Sequence, residues 1–258
     1  MIKGIIGTVI GDIAGSTHEG KPVKTMRFDT LNKQSTLTDD TVLTMAVAEW
    51  MLDRKNVSVS DSLIKWATLY PHAGYGSSFK RFLAEKKEMT PGSTHNGAAM
   101  RVSSVGFLAE SLDECLALAE ESARPSHGSP QAVAAAQATA AAIFLARTGK
   151  SKQEIKDYVE TRFGYDLSVH TDELRKTYGW EDSCQGTVPP AIRAFLDSED
   201  FESAIRIAVS LGGDSDTLAA ITGGIAEAYY GIPEHIGKTA KDYLDQENIR
   251  FEDVITEH

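Results

Sequence analysis

The N-terminal segment constrains the fold more than any other stretch of the chain. Ile2, Ile5, Ile6, Val9, Ile10 and Ile13 follow the i, i+3, i+4, i+7 spacing of one helix face, despite side chains that branch at Cβ. On the same segment Gly7, Gly11 and Gly15 recur every four residues. Residues four apart lie above one another on a helix, so these glycines form a smooth ridge where a second helix can approach closely. They are not a dinucleotide-binding fingerprint: the G-x-G-x-x-G spacing is missing and no strand precedes them.

Helical periodicity continues along the chain. Val42, Leu43, Ala46, Val47, Trp50 and Met51 make a second apolar stripe. A third, Ala132 to Ala146, has small side chains that suit a helix buried on several sides, and Leu218, Ile221, Ile225 and Tyr229 make a fourth. Shorter amphipathic segments follow Asp113, Lys152, Pro189 and Asp200, with Pro189 or Pro190 expected in a first helical turn. A last segment runs from about His235 to Leu244. Strand alternation is scarce, and no linker or fixed-period repeat interrupts the pattern. The expectation is one all-α domain over residues 1–258, a compact multi-helix bundle of roughly ten helices.

A formal charge of −11 argues against binding a nucleic-acid backbone, which selects a basic face. Cys115 and Cys184 are far apart and form no C-x-x-C, so neither a thiolate zinc site nor a disulfide framework is expected. The Ala132–Ala146 stretch is too short to span a bilayer and is interrupted by Gln137 and Thr139. The N-terminal stripe mimics a secretory signal only faintly, because Asp12 breaks it and Lys3 alone precedes it. A cytoplasmic location without membrane contact is therefore expected.

Two acidic clusters carry the chemistry. Thr38-Asp39-Asp40 stands directly ahead of the second stripe, and Gly212-Gly213-Asp214-Ser215-Asp216-Thr217 opens the fourth. Either alone reads as helix capping, since Thr and Asp are good N-caps and first-turn acids suit the helix dipole by ~0.3–1 kcal/mol each. Their shared grammar, a carboxylate pair with a threonine hydroxyl at a helix mouth, points further. Four carboxylates gathered in one place repel unless cations neutralise them, and an all-oxygen donor set points to Mg²⁺ or Mn²⁺ rather than zinc or copper, with Ca²⁺ left open. An EF-hand is excluded, because Ala219 and Ile225 occupy its glycine and terminal glutamate positions. Convergence of residues 38–40 with 214–217 is an expectation that spacing cannot prove.

With these blocks in order, the sequence resembles the ADP-ribosylglycohydrolase superfamily from about Gly4 to Pro233. The resemblance rests on Gly11-Asp12 with Glu19, Thr38-Asp39-Asp40, Gly74-Tyr75-Gly76, Asn96-Gly97-Ala98-Ala99-Met100-Arg101, Ser126-His127, Cys184 to Pro189, and Gly212 to Thr217. It implies an all-α hydrolase with two Mg²⁺ or Mn²⁺ ions held by Thr38, Asp39, Asp40, Asp214, Asp216 and Thr217. It implies cleavage of the glycosidic bond at the terminal ribose of an ADP-ribosyl group, on modified protein (arginine linkage favoured) or on a small ADP-ribose derivative such as O-acetyl-ADP-ribose. Catalytic roles fall to Asp39, Asp216 and Glu19, with Glu19 as acid, base or gate. Substrate contacts fall to His127, to Asn96 and Gly97 as a pyrophosphate cradle at a helix opening, and to Gly74 and Gly76. Two departures stand out: His95 where relatives carry glycine, and Ser126 where threonine is common. Competing readings are a Gly-Asp-Ser esterase using Ser215, whose block lies too late in the chain, and a non-catalytic ADP-ribose binder. The three tryptophans read as packing residues.

Overall fold

A computed structural model of the protein describes residues 4–85, 92–246 and 249. In chain order its helices are α1 (Ile6–Ser16), α2 (Asp39–Leu52), α3 (Val59–Leu69), α4 (Ser77–Glu85), α5 (Ser103–Leu108), α6 (Leu112–Ala123) and α7 (Pro130–Arg147). There follow α8 (Lys152–Phe163), α9 (Thr171–Thr177), α10 (Cys184–Asp197), α11 (Phe201–Ser210), α12 (Ser215–Tyr230) and α13 (Glu234–Gln246). A 3₁₀ turn covers Asn96–Ala98, and the described residues contain no strand beyond an isolated bridge between His95 and Ser183. The all-α expectation holds. The helices outnumber the roughly ten expected because α4, α5 and α9 span nine residues or fewer, too short for a periodic stripe to stand out.

The glycine ridge decides the central packing. α1 and α12 lie antiparallel, with Gly7 against Gly223, Gly11 against Ala219 and Gly15 against Asp216. A Cβ on Gly11 would lie 2.0 Å from the Ala219 carbonyl oxygen, so backbone meets backbone along this seam. Every residue of α1 from Ile6 to Gly15 is buried. Its Ile6, Ile10 and Ala14 join one apolar cluster with α7, α10, α11 and α12. Ile5, just ahead of it, and its Val9 and Ile13 join a second, with α2, α3 and α6. The alanine-rich α7 is divided in the same way, Ala138 and Ala142 facing the first cluster and Ala136 and Ala140 the second.

One expectation needs correction. Pro189 and Pro190 lie inside α10, not in its first turn; the helix opens at Cys184, where the Ser183 hydroxyl accepts from the Gly186 N–H. Proline cannot supply an i→i−4 donor, and the Gly186 carbonyl that Pro190 leaves unpaired accepts instead from the Tyr178 hydroxyl at 3.0 Å. Among the described residues no helix is long and apolar enough to cross a membrane.

Candidate active site

The antiparallel seam carries the C-terminal end of α1 to the N-terminal mouth of α12, where the Ser215 hydroxyl donates to the Gly15 carbonyl at 3.0 Å. From the same end of α1 the buried Asp12 takes hold of α2. Its carboxylate accepts from the Thr38 N–H (2.9 Å), the Thr38 hydroxyl (2.8 Å) and the Thr41 N–H (3.1 Å). The Thr41 hydroxyl adds a fourth donor at 2.5 Å. Asp12 thus satisfies donors that a helix start leaves without intrahelical partners.

The two acidic clusters consequently meet. The Thr217 hydroxyl lies 3.3 Å from Asp40 Oδ2, across 177 residues of sequence, and the Thr38 hydroxyl lies 3.5 Å from the same oxygen. Carboxylate oxygens of Glu19, Asp214 and Asp216 fall within 4.8 Å of one another. These groups border a cleft of about 270 Å³ that is lined by every site residue named from sequence except Asp40, which is buried beside it. Gly74 abuts the acidic wall, where a Cβ added to it would lie 3.7 Å from Asp39 Oδ1; Gly76 lines the cleft with open space around it.

Electrostatics follow from the crowding. Burial, and then the charges of Asp12, Asp39 and Asp214, hold the Asp40 carboxyl well above the ordinary range. Burial, then Asp214 and Asp40, do the same to Asp216. Asp39 is pushed up to about 7 by burial and then by Asp12. Asp12 rises to about 6, because burial outweighs the four hydrogen bonds that favour its anion. Glu19, at the exposed lip, is raised by partial burial and by Asp214 and Asp12. Carboxyls crowded in this way resist full ionisation, and positive charge placed among them would favour it.

The opposite wall departs from expectation at Asn96. Its turn is three residues long, and its backbone N–H donates to the Asp182 carbonyl at 3.0 Å, so that group is not free to receive a phosphate. The side-chain amide donates to Asp214 Oδ2 (2.7 Å) and to the Thr187 hydroxyl (3.1 Å). Asn96 therefore steadies one of the site's carboxylates from the side. Gly97 packs against the His127 ring, and both line the cleft.

The sequence reading gave Asp12 no role at the site, yet from its buried position it ties α1 to α2. Trp180, expected to be a packing residue, and His95, noted only as a departure, line the cleft together with Asp182. His95, Asp182 and Trp180 form a rim, Trp180 with 58% of its surface exposed. The rim is held by backbone: the Cys184 N–H donates to the Thr94 carbonyl at 2.8 Å, beside the Asn96–Asp182 bond. His95 Nδ1 and Asp182 Oδ2 are 3.3 Å apart, a half-exposed pair worth about 0–1 kcal/mol.

A helical fold that brings two carboxylate-bearing helix mouths to one cleft defines a narrow class, and comparison with known proteins gives it a name. Residues 1–255 match the ADP-ribosylglycohydrolase family, and the chain belongs to that family of glycohydrolase enzymes. It is similar to the ADP-ribosylhydrolase ARH3 of Homo sapiens, 26% identical over 320 residues that cover 93% of this chain and 88% of that protein. The ADP-ribosylarginine hydrolase Tri1 of Serratia proteamaculans is 23% identical over 273 residues, covering 94% and 74%. A solved structure described as an ADP-ribosylglycohydrolase-related protein complex superposes with a TM-score of 0.70 at 26% identity, covering 95% of each chain.

Proposed function

We propose that this protein hydrolyses the glycosidic bond of ADP-ribosyl groups and removes mono-ADP-ribose from modified protein, with arginine the favoured linkage. The observation that carries the reading is the meeting of the α2 and α12 mouths, with the Thr217 hydroxyl on Asp40, in a cleft whose chain belongs to this family. The ADP-ribosylhydrolase names of ARH3 and Tri1 support the reaction, and Tri1, as an ADP-ribosylarginine hydrolase, supports the linkage.

The donor set fits divalent cations. Asp40 Oδ1 is buried and has no hydrogen-bond partner among the described residues, and burial and then mutual repulsion raise the pKa of Asp40 and Asp216. Hard oxygen donors of this kind suit Mg²⁺ or Mn²⁺. Thr38, Asp39, Asp40, Asp214, Asp216 and Thr217 would hold two ions. Bound there, the ions supply Lewis acidity that grips the vicinal ribose hydroxyls and lowers the pKa of a water.

The chain's own residues do the rest. Asp12 fixes the start of α2 and so the direction of Asp39 and Asp40. Asn96 fixes Asp214. Glu19 stands at the lip beside Asp214 and Asp216 with its carboxyl pKa raised, which suits a group that passes a proton to or from the glycosidic centre. His127 and the glycines of the opposite wall line the space left for the ribose and diphosphate. A cytoplasmic location belongs to the proposal; the free, buried thiols of Cys115 and Cys184 accord with it.

The test is release of ADP-ribose from an arginine-ADP-ribosylated protein, with EDTA and then with Mg²⁺ or Mn²⁺ restored. Release that stops on chelation and returns with metal supports the reading. Release from serine-linked or O-acetyl substrates alone would move the linkage and keep the reaction class. No release from any of them would overturn the proposal.

A further inference from the structure

His127 lines the cleft wall, with one ring edge inside on the buried Ser126 and the other over Gly97, itself a cleft-lining residue. On the inner edge Nδ1 lies 2.8 Å from the Ser126 hydroxyl oxygen. On the other edge Nε2 and Cε1 lie over Gly97, so closely that a Cβ there would be 2.9 Å from each. Behind Ser126 stands Arg101, completely buried, whose Nη2 donates to the Ser126 oxygen (2.8 Å) and to the Ser122 carbonyl (2.9 Å).

The order of these groups leaves one arrangement of protons. A guanidinium has only donors, so the Ser126 oxygen must accept from Arg101. The serine's own proton must then find an acceptor, because Ser126 is 1% exposed and a buried hydroxyl is seldom left unpaired. Among the described residues the acceptor within reach is His127 Nδ1. Nδ1 therefore bears no proton, and the ring's single proton resides on Nε2. From the geometry we infer that Arg101 and Ser126 are positioning residues that fix His127 as the Nε2–H tautomer, so that it faces the cleft as a hydrogen-bond donor.

The charge state agrees. Burial, and then the positive charge of Arg101, hold the His127 pKa well below the ordinary histidine value, so the ring is neutral. Burial pushes Arg101 down to about 9, which still leaves it protonated at neutral pH. A donor at Nε2 suits an anionic oxygen, whereas the other tautomer would turn a lone pair toward it. That this oxygen belongs to the diphosphate of an ADP-ribosyl group rests on the function proposed above; the tautomer does not.

The test separates the two. Long-range ¹H–¹⁵N correlation spectra of ¹⁵N-histidine-labelled protein report each ring's tautomer, and a His127→Gln variant identifies the His127 signals. The wild type and Ser126→Thr, which keeps the hydroxyl, are expected to show a neutral Nε2–H ring from pH 6 to 8. Ser126→Ala is expected to show mixed tautomers and about 10-fold weaker ADP-ribose binding, the loss of one charge-assisted hydrogen bond. Restoration of both readouts by threonine but not alanine marks positioning rather than bulk packing. An Nδ1–H ring or an imidazolium in the wild type overturns the inference, as does a single Nε2–H tautomer retained in Ser126→Ala. An Nε2–H ring in a wild-type protein that does not bind ADP-ribose supports the relay and counts against the ADP-ribosyl reading instead.

Discussion

At the scale of single residues, the site is defined by carboxylates placed where none would choose to sit alone. Asp216 is held well above its ordinary pKa by burial and by Asp214 and Asp40. Replacing it with asparagine removes one source of repulsion and one donor oxygen. The metal-free Asp216→Asn protein is expected to melt higher than the wild type, by about 3 °C per kcal/mol of repulsion relieved, while losing turnover and the stabilisation that Mg²⁺ gives. Thermal melts with and without Mg²⁺ read both effects, and a variant that keeps wild-type turnover removes Asp216 from the site. Glu19 makes a separate case, because it stands at the exposed lip while its neighbours Asp214 and Asp216 are buried. Glu19→Gln should slow turnover by ~10²-fold or more if this carboxyl moves a proton. An unchanged rate takes it out of the chemistry.

At the scale of elements, the α1–α12 seam positions everything else. A methyl group on Gly11 would strike the Ala219 carbonyl, a backbone atom that cannot turn aside. Gly11→Ala should therefore destabilise the protein by about 3 kcal/mol, measured by chemical denaturation, and should also weaken metal binding by spreading the end of α1 from the mouth of α12. A neutral substitution would mean that the seam is loose. This seam was legible in the sequence, because a glycine every four residues on an apolar helix has few other uses. The cap of α2 was legible too, since Thr38 ahead of Asp39 and Asp40 is a helix start written in three residues; at α12 the expected cap is absent, because Asp214 makes no side-chain capping bond. Asp12 was not. Its partners lie 26 and 29 residues further on, and no local pattern shows that a lone acid in an apolar stripe faces another helix's free N–H groups. The rim of His95, Trp180 and Asp182 was hidden for a similar reason: it exists only because segment 94–96 pairs with 182–184, a contact between two irregular loops.

At the scale of the whole molecule, stability and function pull in opposite directions at one place. In the metal-free protein Asp12 and Asp39 have pKa values raised to about 6 and 7, and Asp40 and Asp216 are raised as well. A carboxyl with a raised pKa keeps its proton in the folded state after the unfolded chain has released it. Its contribution is full below the unfolded value near ~4 and is lost as pH climbs through the folded values. Metal-free protein should therefore melt higher at pH 5 than at pH 8, the loss setting in above the unfolded value near ~4 and easing as pH passes the folded values of about 6 and 7, and added Mg²⁺ should flatten that slope. A melting temperature indifferent to pH would show that the carboxylates do not crowd as described. The account depends above all on residues 38–40 and 214–217 forming one centre. The most direct measurement is titration of metal-stripped protein with Mn²⁺ followed by electron paramagnetic resonance, for the wild type and for Asp40→Asn. Two ions per chain with a spin-coupled signal, and loss of that coupling in Asp40→Asn, is the predicted result; no specific Mn²⁺ binding, or a wild-type signal in Asp40→Asn, would contradict it.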